Sequence, residues 1–126
     1  MILVDTSVWI DHLHVSEPAL VKALETDQVA VHPFVIGELA LGSIANREEV
    51  LALLSRLRLV STLTHQELLD FVNAGELWGR GLSLVDAHLL GAARLVPGIK
   101  LWTRDKRLQA GAKLASVTLL VEEPGG

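Results

Sequence analysis

The sequence predicts an α/β fold, a three-layer α/β/α sandwich whose central parallel sheet has four to five strands. Two observations predict this class. Short apolar runs alternate with longer stretches that have helical periodicity. The short runs are apolar at successive positions, as expected of parallel strands that helices cover on both faces. Residues 1–126 are expected to form a single domain, with 122–126 as a frayed tail.

The first half of the chain is predicted to contain two strands and four helices, with strands at 2–4 and 29–31 and helices at 6–13, after Ser16, at 34–44 and at 46–57. Ser16 is interpreted as an N-cap, and Asn46 with Glu49 as a capping box. The helix at 34–44 opens at Pro33 and is apolar nearly all round, so we expect it to be buried on most faces.

The second half is predicted to contain three strands and three helices, with strands at 58–61, 99–103 and 117–121 and helices at 64–77, 84–95 and 105–114. Thr64 with Glu67 forms a capping box, and Ser83 caps the next helix. Glycines on both sides of Arg80 break the chain between these two helices.

Composition narrows the possible functions. The chain has no cysteine, which excludes disulfides, thiolate zinc sites and cysteine nucleophiles. No apolar run approaches the roughly 20 residues that a membrane span needs, and no signal peptide is recognisable, so we expect a cytoplasmic protein without a membrane partner. Half of the residues are hydrophobic, which indicates either a well-filled core or apolar surface that is available to a partner.

Charge is unevenly distributed along the chain. The net charge of −4 argues against simple electrostatic binding of nucleic acid. Basic residues nevertheless concentrate at 94–113, whereas residues 1–45 are strongly acidic. A solvated helix face and a grip on an RNA backbone both explain the basic segment. The candidate RNA-binding residues are Arg80, Arg104, Lys106 and Arg107.

Four carboxylates lie in apolar or strand-end settings: Asp5, Glu38, Asp86 and Asp105. Each has a simpler explanation, because Asp86 can close a capping box with Ser83, Asp105 can cap a helix, and Glu38 can pair with an arginine or reach solvent. Asp5, too, can begin a helix together with the hydroxyl residues that follow it. Taken together, the four favour a catalytic or metal-binding role. Asp5 and Asp105 both follow strands of one parallel sheet, and the carboxyl ends of such strands lie at the same edge.

The residue types in this group indicate the chemistry. An all-oxygen set suits Mg²⁺ or Mn²⁺ better than zinc. Such ions hold a phosphodiester and activate water for its hydrolysis. The sequence has no Walker-type loop, GxGxxG motif or Ser-His-Asp spacing, so metal-assisted hydrolysis is the favoured reaction.

Four segments together resemble the PIN-domain family, specifically the VapC-type toxin ribonucleases. They are Val4-Asp5-Thr6-Ser7-Val8-Trp9-Ile10, Gly37-Glu38-Leu39, Gly81-Leu82-Ser83-Leu84-Val85-Asp86-Ala87-His88-Leu89 and Trp102-Thr103-Arg104-Asp105-Lys106-Arg107-Leu108. The resemblance covers essentially the whole chain. Leu108 stands where many relatives carry an aromatic residue, which we interpret as a packing difference.

The resemblance implies a function and a site. The protein would be the toxin of a toxin–antitoxin pair, an endoribonuclease that uses Mg²⁺ or Mn²⁺. Asp5, Glu38, Asp86 and Asp105 would be catalytic, with the three aspartates as metal ligands, and Thr6 and Thr103 would support them. The partners would be RNA, a cognate antitoxin that inserts a segment into the active-site groove, and a second copy in a homodimer.

Two other functions fit parts of the sequence. A haloacid-dehalogenase-like phosphatase also has an aspartate after its first strand, but it needs a second acid two residues later, where this chain has Ser7. The non-catalytic alternative is a signalling receiver or a degenerate α/β binding module. A receiver would have two adjacent acids near the first strand and a lysine after the last, and this chain has neither.

Overall fold

Residues 1–122 are described by a computed structural model. Strands and helices follow one another within these residues in the order β1 (Ile2–Val4), α1 (Thr6–His14), α2 (Pro18–Glu25), β2 (Val29–Val31), α3 (Pro33–Leu41), α4 (Arg47–Ser55), β3 (Arg58–Leu59), α5 (His65–Gly75), α6 (Leu84–Leu95), β4 (Lys100–Trp102) and α7 (Lys106–Leu114). This is the α/β alternation that the sequence predicts.

The four strands form one parallel sheet in the order β3-β2-β1-β4. β1 lies in the centre, and its register sets Val4 opposite Trp102 of β4. Leu3, Val4 and Leu101 are fully buried, because helices cover both faces of the sheet. The predicted three-layer α/β/α class is therefore confirmed, and the carboxyl ends of β1 and β4 meet at one edge.

The predicted strand at 117–121 is reduced to a single bridge. Leu119 pairs in parallel with Leu101, and two backbone hydrogen bonds of 2.8 Å join Leu101 to Thr118 and Leu120. These contacts reach only the middle residue of the three-residue strand β4, so no ladder develops. Of the predicted frayed tail, Glu122 is described, and residues 123–126 lie outside the described residues.

Two predicted helix starts are wrong. α2 follows Glu17 with Pro18 at its first position, and no side chain caps it, so Ser16 is not its N-cap. Asn46 precedes α4 in a left-handed conformation with φ 52° and ψ 41°. An N-cap side chain needs extended backbone to reach the first turn, so Asn46 and Glu49 form no capping box.

Three predicted caps are confirmed. Thr64 and Glu67 form a reciprocal capping box at α5. Ser83 and Asp86 form another at α6. Asp105 caps α7 by accepting the N–H groups of Arg107 and Leu108. Two of the four candidate carboxylates therefore have structural hydrogen bonds of their own.

Burial of the helices differs from the prediction for α3. Only Val35 and Leu39 of α3 are buried, whereas Leu41 is 92% exposed. The central helix is α6, which is buried at every position from Ala87 to Ala93. α3 lies in an outer layer against α1 and α4, which leaves part of its apolar surface in solvent. No helix within residues 1–122 combines the length and the apolar character needed to cross a membrane.

Candidate active site

Asp5 and Thr103 follow the neighbouring strands β1 and β4 at the carboxyl edge of the sheet. The Asp5 N–H donates to the carbonyl of Trp102 at 2.9 Å, and the Thr103 hydroxyl donates to Asp5 Oδ2 at 2.7 Å. Asp5 is 5% exposed and Thr103 is 3% exposed. The parallel pairing of β1 with β4 therefore brings together residues that are 98 positions apart in the chain.

A second hydroxyl also holds Asp5. Ser7 Oγ donates to Asp5 Oδ2 at 2.8 Å. Each hydroxyl in turn accepts a backbone N–H, Ser7 from Arg104 at 3.3 Å and Thr103 from Asp105 at 3.0 Å. We call Asp5, Ser7 and Thr103 the sheet-edge corner. The two hydroxyls fix one carboxylate oxygen of Asp5 to the segment that carries Asp105.

Ser7 has a role that the sequence alone did not predict. Thr6 and Ser7 were expected as possible caps of α1, but the N-cap position is Asp5 and no side chain caps that helix. The hydroxyl of Ser7 instead turns back to Asp5, and that of Thr6 turns towards α3. The signal was present in the Asp-Thr-Ser sequence, where a hydroxyl two residues after an aspartate can reach its side chain.

Glu38 is held by Thr6. The Thr6 hydroxyl donates to Glu38 Oε1 at 2.7 Å, which ties α3 to the first turn of α1. Glu38 is exposed, contrary to the expectation of a buried carboxylate in an apolar helix. Its position on the outer helix α3 explains this exposure. Thr6 therefore contacts the predicted group of acids through Glu38.

Asp86 is half-buried, and the charges of the other acids affect its pKa. Burial raises the pKa of its carboxyl, and the negative charges of Asp5 and Asp105 raise this pKa further. Hydrogen bonds from the backbone and hydroxyl of Ser83 act in the opposite direction on the same pKa. Burial is the largest cause of this raised pKa, and the neighbouring carboxylates add to it. It also indicates that the three aspartates are electrostatic neighbours.

The four carboxylates share a pattern of hydrogen bonding. One oxygen of each is engaged, and the other accepts no hydrogen bond from residues 1–122; the engaged atoms are Asp5 Oδ2, Glu38 Oε1, Asp86 Oδ2 and Asp105 Oδ1. One hydrogen-bonded oxygen fixes the orientation of each carboxylate. The second oxygen is left to face a ligand or solvent.

The fit of a divalent cation to these residues is mixed. The donor set contains only carboxylate and hydroxyl oxygens, which Mg²⁺ and Mn²⁺ prefer. In the described part of the chain, however, no three His, Cys, Asp or Glu side chains already stand as a coordination shell. Asp86 and Asp105 are turned towards their own helix termini. The donor chemistry therefore fits such an ion, and the side chains would have to turn their unengaged oxygens towards it.

Arg104 is engaged by carboxylates. Its guanidinium forms ion pairs with Asp11, Glu17 and Glu122 at 2.7, 2.7 and 2.6 Å. These hydrogen bonds raise the pKa of Arg104 further above its usual range. The arginine thereby joins α1, the start of α2 and the C-terminal segment, and is poorly placed for the RNA contact expected of it.

The other three candidate RNA-binding residues are exposed. Lys106 and Arg107 lie at the start of α7, directly after Asp105. Arg107 packs over Gly81, where a Cβ would lie 3.0 Å from the arginine Cδ. Arg80 Nε donates to the carbonyl of Glu76 at 2.8 Å. The packing of Arg107 on Gly81 brings the turn before α6 close to the start of α7.

A parallel α/β/α sandwich with acidic residues at the carboxyl edge of its sheet defines the structural class. A PIN-domain family model matches residues 2–114, and the chain belongs to the PIN-domain family. Two relatives share 53% identity with it over 122 residues, which cover 97% of this chain and 98% of each relative. Both are named Ribonuclease VapC32, from Mycobacterium tuberculosis strains CDC 1551 / Oshkosh and ATCC 25618 / H37Rv. The chain is thus a PIN-domain protein of the VapC type.

Proposed function

We propose that this protein is a metal-dependent endoribonuclease that acts as the toxin of a toxin–antitoxin pair. It hydrolyses RNA phosphodiester bonds at Asp5, Glu38, Asp86 and Asp105, with Mg²⁺ or Mn²⁺ as cofactor. The observation that carries this proposal is the hydrogen bond from Thr103 to Asp5. It joins the segment that carries Asp5 to the segment that carries Asp105. Similarity to the two ribonucleases supports it.

The proposed roles follow from the hydrogen bonds of each residue. Asp5 is the central ligand, because two hydroxyls fix its orientation in a buried position. Asp86 and Asp105 complete the ligand set through their unengaged oxygens. Glu38, exposed and held by Thr6, orients the attacking water and accepts its proton. A bound divalent cation would supply charge neutralisation at the phosphodiester.

The phosphatase alternative has less support. That chemistry needs an acid at position 7. This chain has Ser7 there, and its hydroxyl donates a hydrogen bond to Asp5. The hydroxyl orients the aspartate and cannot act as a general acid at neutral pH. A non-catalytic binding module has no observation in its favour at this site.

Cleavage of structured RNA tests the proposal. We expect cleavage by the purified protein with Mn²⁺ or Mg²⁺, loss of cleavage with a chelator, and a loss of at least about 100-fold in Asp5→Asn. Asp70→Asn is the matched control, because Asp70 is an exposed acid on α5 whose side chain hydrogen-bonds only with Gln66 among the described residues. Cleavage that survives both chelation and Asp5→Asn would contradict the metal-dependent site.

Expression of the chain without a partner tests the toxin role. We expect it to arrest growth, and Asp86→Asn to relieve the arrest. A variant that folds and is as toxic as the wild type would separate toxicity from catalysis.

We also propose that Lys106 and Arg107, with a smaller contribution from Arg80, contact the RNA backbone. The two residues on α7 are exposed and adjacent to Asp105. Arg107→Glu should weaken RNA binding and reduce the slope of affinity against salt, because fewer counterions are released. Lys113→Glu, at the other end of the same helix, is the charge-matched control. An unchanged salt dependence of RNA binding in Arg107→Glu would mean that the basic segment is only a solvated helix face.

Protein partners are proposed on the basis of exposed apolar surface. Trp78 and Leu84 are 61% and 62% exposed on the segment that leads to Asp86. We assign this patch to a homodimer contact, and the cognate antitoxin to the groove over the acids. Leu84→Glu should convert a dimer into a monomer in light scattering, whereas Leu95→Glu, equally exposed at the other end of α6, should not. A monomeric wild type at high concentration would contradict the dimer.

A further inference from the structure

His32 supports the whole first turn of α3. Its side-chain Nδ1 accepts the N–H of Phe34 at 2.9 Å, and its carbonyl accepts those of Val35 and Ile36 at 3.0 and 3.3 Å. Pro33 has no N–H to satisfy. Every backbone donor in the first turn of α3 therefore ends on His32. No other helix in residues 1–122 has a histidine side chain as its N-cap acceptor.

The ring of His32 is also packed between two acid-bearing helices. It is fully buried, and its centroid lies 5.0 Å from the Phe34 ring and 6.0 Å from the His88 ring. Phe34 and His88 contact each other edge to face at 4.6 Å. His88 lies on α6, two residues after Asp86, and Phe34 lies on α3, four residues before Glu38. The three rings thus join α3 to α6.

An imidazole costs more at this position than an apolar ring would. Because Nδ1 accepts a hydrogen bond, the proton of the neutral ring is on Nε2, and Nε2 is buried with no hydrogen-bond partner among the described residues. A buried donor without a partner is destabilising. Packing alone would therefore favour phenylalanine. The cap is what the imidazole adds.

α3 has reason to depend on this cap. It has nine residues, and Gly37 in its interior lowers its helix propensity. A Cβ at Gly37 would meet nothing within 4 Å, so tight packing does not hold the helix at that point. Only Val35 and Leu39 are buried in the core. The Glu38 side chain makes a single hydrogen bond, to Thr6, so its position depends on how α3 begins.

We propose that His32 is a positioning residue for the acidic site. By capping α3, it sets the position of Glu38 relative to Asp86. This inference rests on the proposed function, because it assigns Glu38 a part in RNA cleavage. His32 lies at the end of β2 and acts only through α3 and α6.

Two substitutions separate the cap from the packing. His32→Asn keeps a side-chain acceptor at the N-cap and loses the ring, whereas His32→Phe keeps the ring and loses the acceptor. We expect kcat for RNA to fall at least about tenfold in His32→Phe, with little change in KM, because Glu38 is displaced from the reacting bond. His32→Asn should retain kcat within about threefold. His12→Phe is the matched control, because His12 Nδ1 also accepts a backbone N–H, from Glu17 at 3.0 Å.

Hydrogen exchange of the α3 amides gives a readout that does not depend on activity. The N–H groups of Phe34, Val35 and Ile36 should exchange faster in His32→Phe than in the wild type and His32→Asn. Wild-type kcat and unchanged exchange in His32→Phe would overturn the inference. A loss of kcat in folded His32→Asn that exceeds the loss in His32→Phe would also overturn it, since the ring and not the cap would then matter. If the wild-type protein cleaves no RNA, the proposed function fails, and exchange alone then decides whether His32 holds α3.

Discussion

The sheet-edge corner and the helix-borne acids hold their carboxylates in different ways. Asp5 is buried and fixed by Ser7 and Thr103, and the second of these lies 98 residues away. Asp86 and Asp105 are oriented by hydrogen bonds with backbone or hydroxyl groups within three residues of themselves. Glu38 is exposed on an outer helix. The sheet thus holds one carboxylate rigidly, and the helices carry the other three.

This difference assigns separate tasks to the two regions. Buried hydrogen bonds to a charged group are strong, so the corner should tolerate few changes. The helix-borne acids depend on how α3, α6 and α7 begin, so their positions should respond to helix stability. The three predictions below separate these tasks, in order of decreasing effect.

Acidic pH should destabilise the fold around α3, because His32 becomes protonated there. Burial lowers the pKa of His32 from 6.5 to about 4, and the charge of His88 adds to this lowering. The unfolded chain therefore binds the proton first. The stability due to neutral His32 is complete above pH 6.5 and is lost as the pH falls towards about 4. The loss approaches about 3 kcal/mol in the free energy of unfolding.

Comparison of variants isolates this effect from the acids that titrate in the same range. Chemical denaturation of the wild type and His32→Asn at pH 7 and pH 4 should show the smaller loss in the variant. His88, whose pKa is lowered by burial and by the charge of His65, is present in both proteins. Equal losses would mean that His32 is not held neutral in the fold.

Removal of the Thr103 hydroxyl should reduce RNA cleavage more than removal of the Thr6 hydroxyl does. Thr103→Val leaves Asp5 one donor short and the Asp105 N–H without its acceptor. We expect cleavage to fall about 30-fold, as for a buried hydrogen bond to a charged group. Thr6→Val removes only the exposed bond to Glu38 and should cost about threefold. Equal losses would mean that Asp5 is no more tightly held than Glu38.

Arg104 should contribute to stability and little to RNA binding. Arg104→Gln removes three ion pairs from a side chain that is 27% exposed, which should lower the free energy of unfolding by about 1 kcal/mol. Salt screens such pairs, so the loss should shrink at about 1 M salt. Lys106→Gln, at an exposed position without an ion pair in residues 1–122, should leave stability unchanged. A large loss of RNA affinity in Arg104→Gln would contradict this division.

The sequence predicts the parts of this molecule that depend on local signals. The capping boxes at Thr64 and Ser83 and the cap at Asp105 follow from residues within one turn, and all three are confirmed. The order of strands and helices follows from short-range hydrophobic patterns. Asn46 shows the limit of such signals, because its spacing to Glu49 fits a capping box while its backbone is left-handed.

The parts that depend on tertiary structure could not be predicted from local patterns. The apolar sequence of α3 indicates burial, but its outer-layer position leaves Glu38 and Leu41 exposed. Arg104, Lys106 and Arg107 appear equivalent in sequence. The fold nevertheless brings three distant acids to Arg104 and not to Lys106. The cap that His32 provides is hidden because histidine is an uncommon N-cap.

Binding of Mn²⁺ to the metal-free protein tests most directly the central claim that four carboxylates form one site around Asp5. Titration by calorimetry or electron paramagnetic resonance should show affinity reduced at least about tenfold in Asp5→Asn. Asp86→Asn and Asp105→Asn should each bind more weakly than the wild type, and Asp70→Asn should bind equally well. Wild-type affinity in Asp5→Asn, with the fold intact, would contradict the claim.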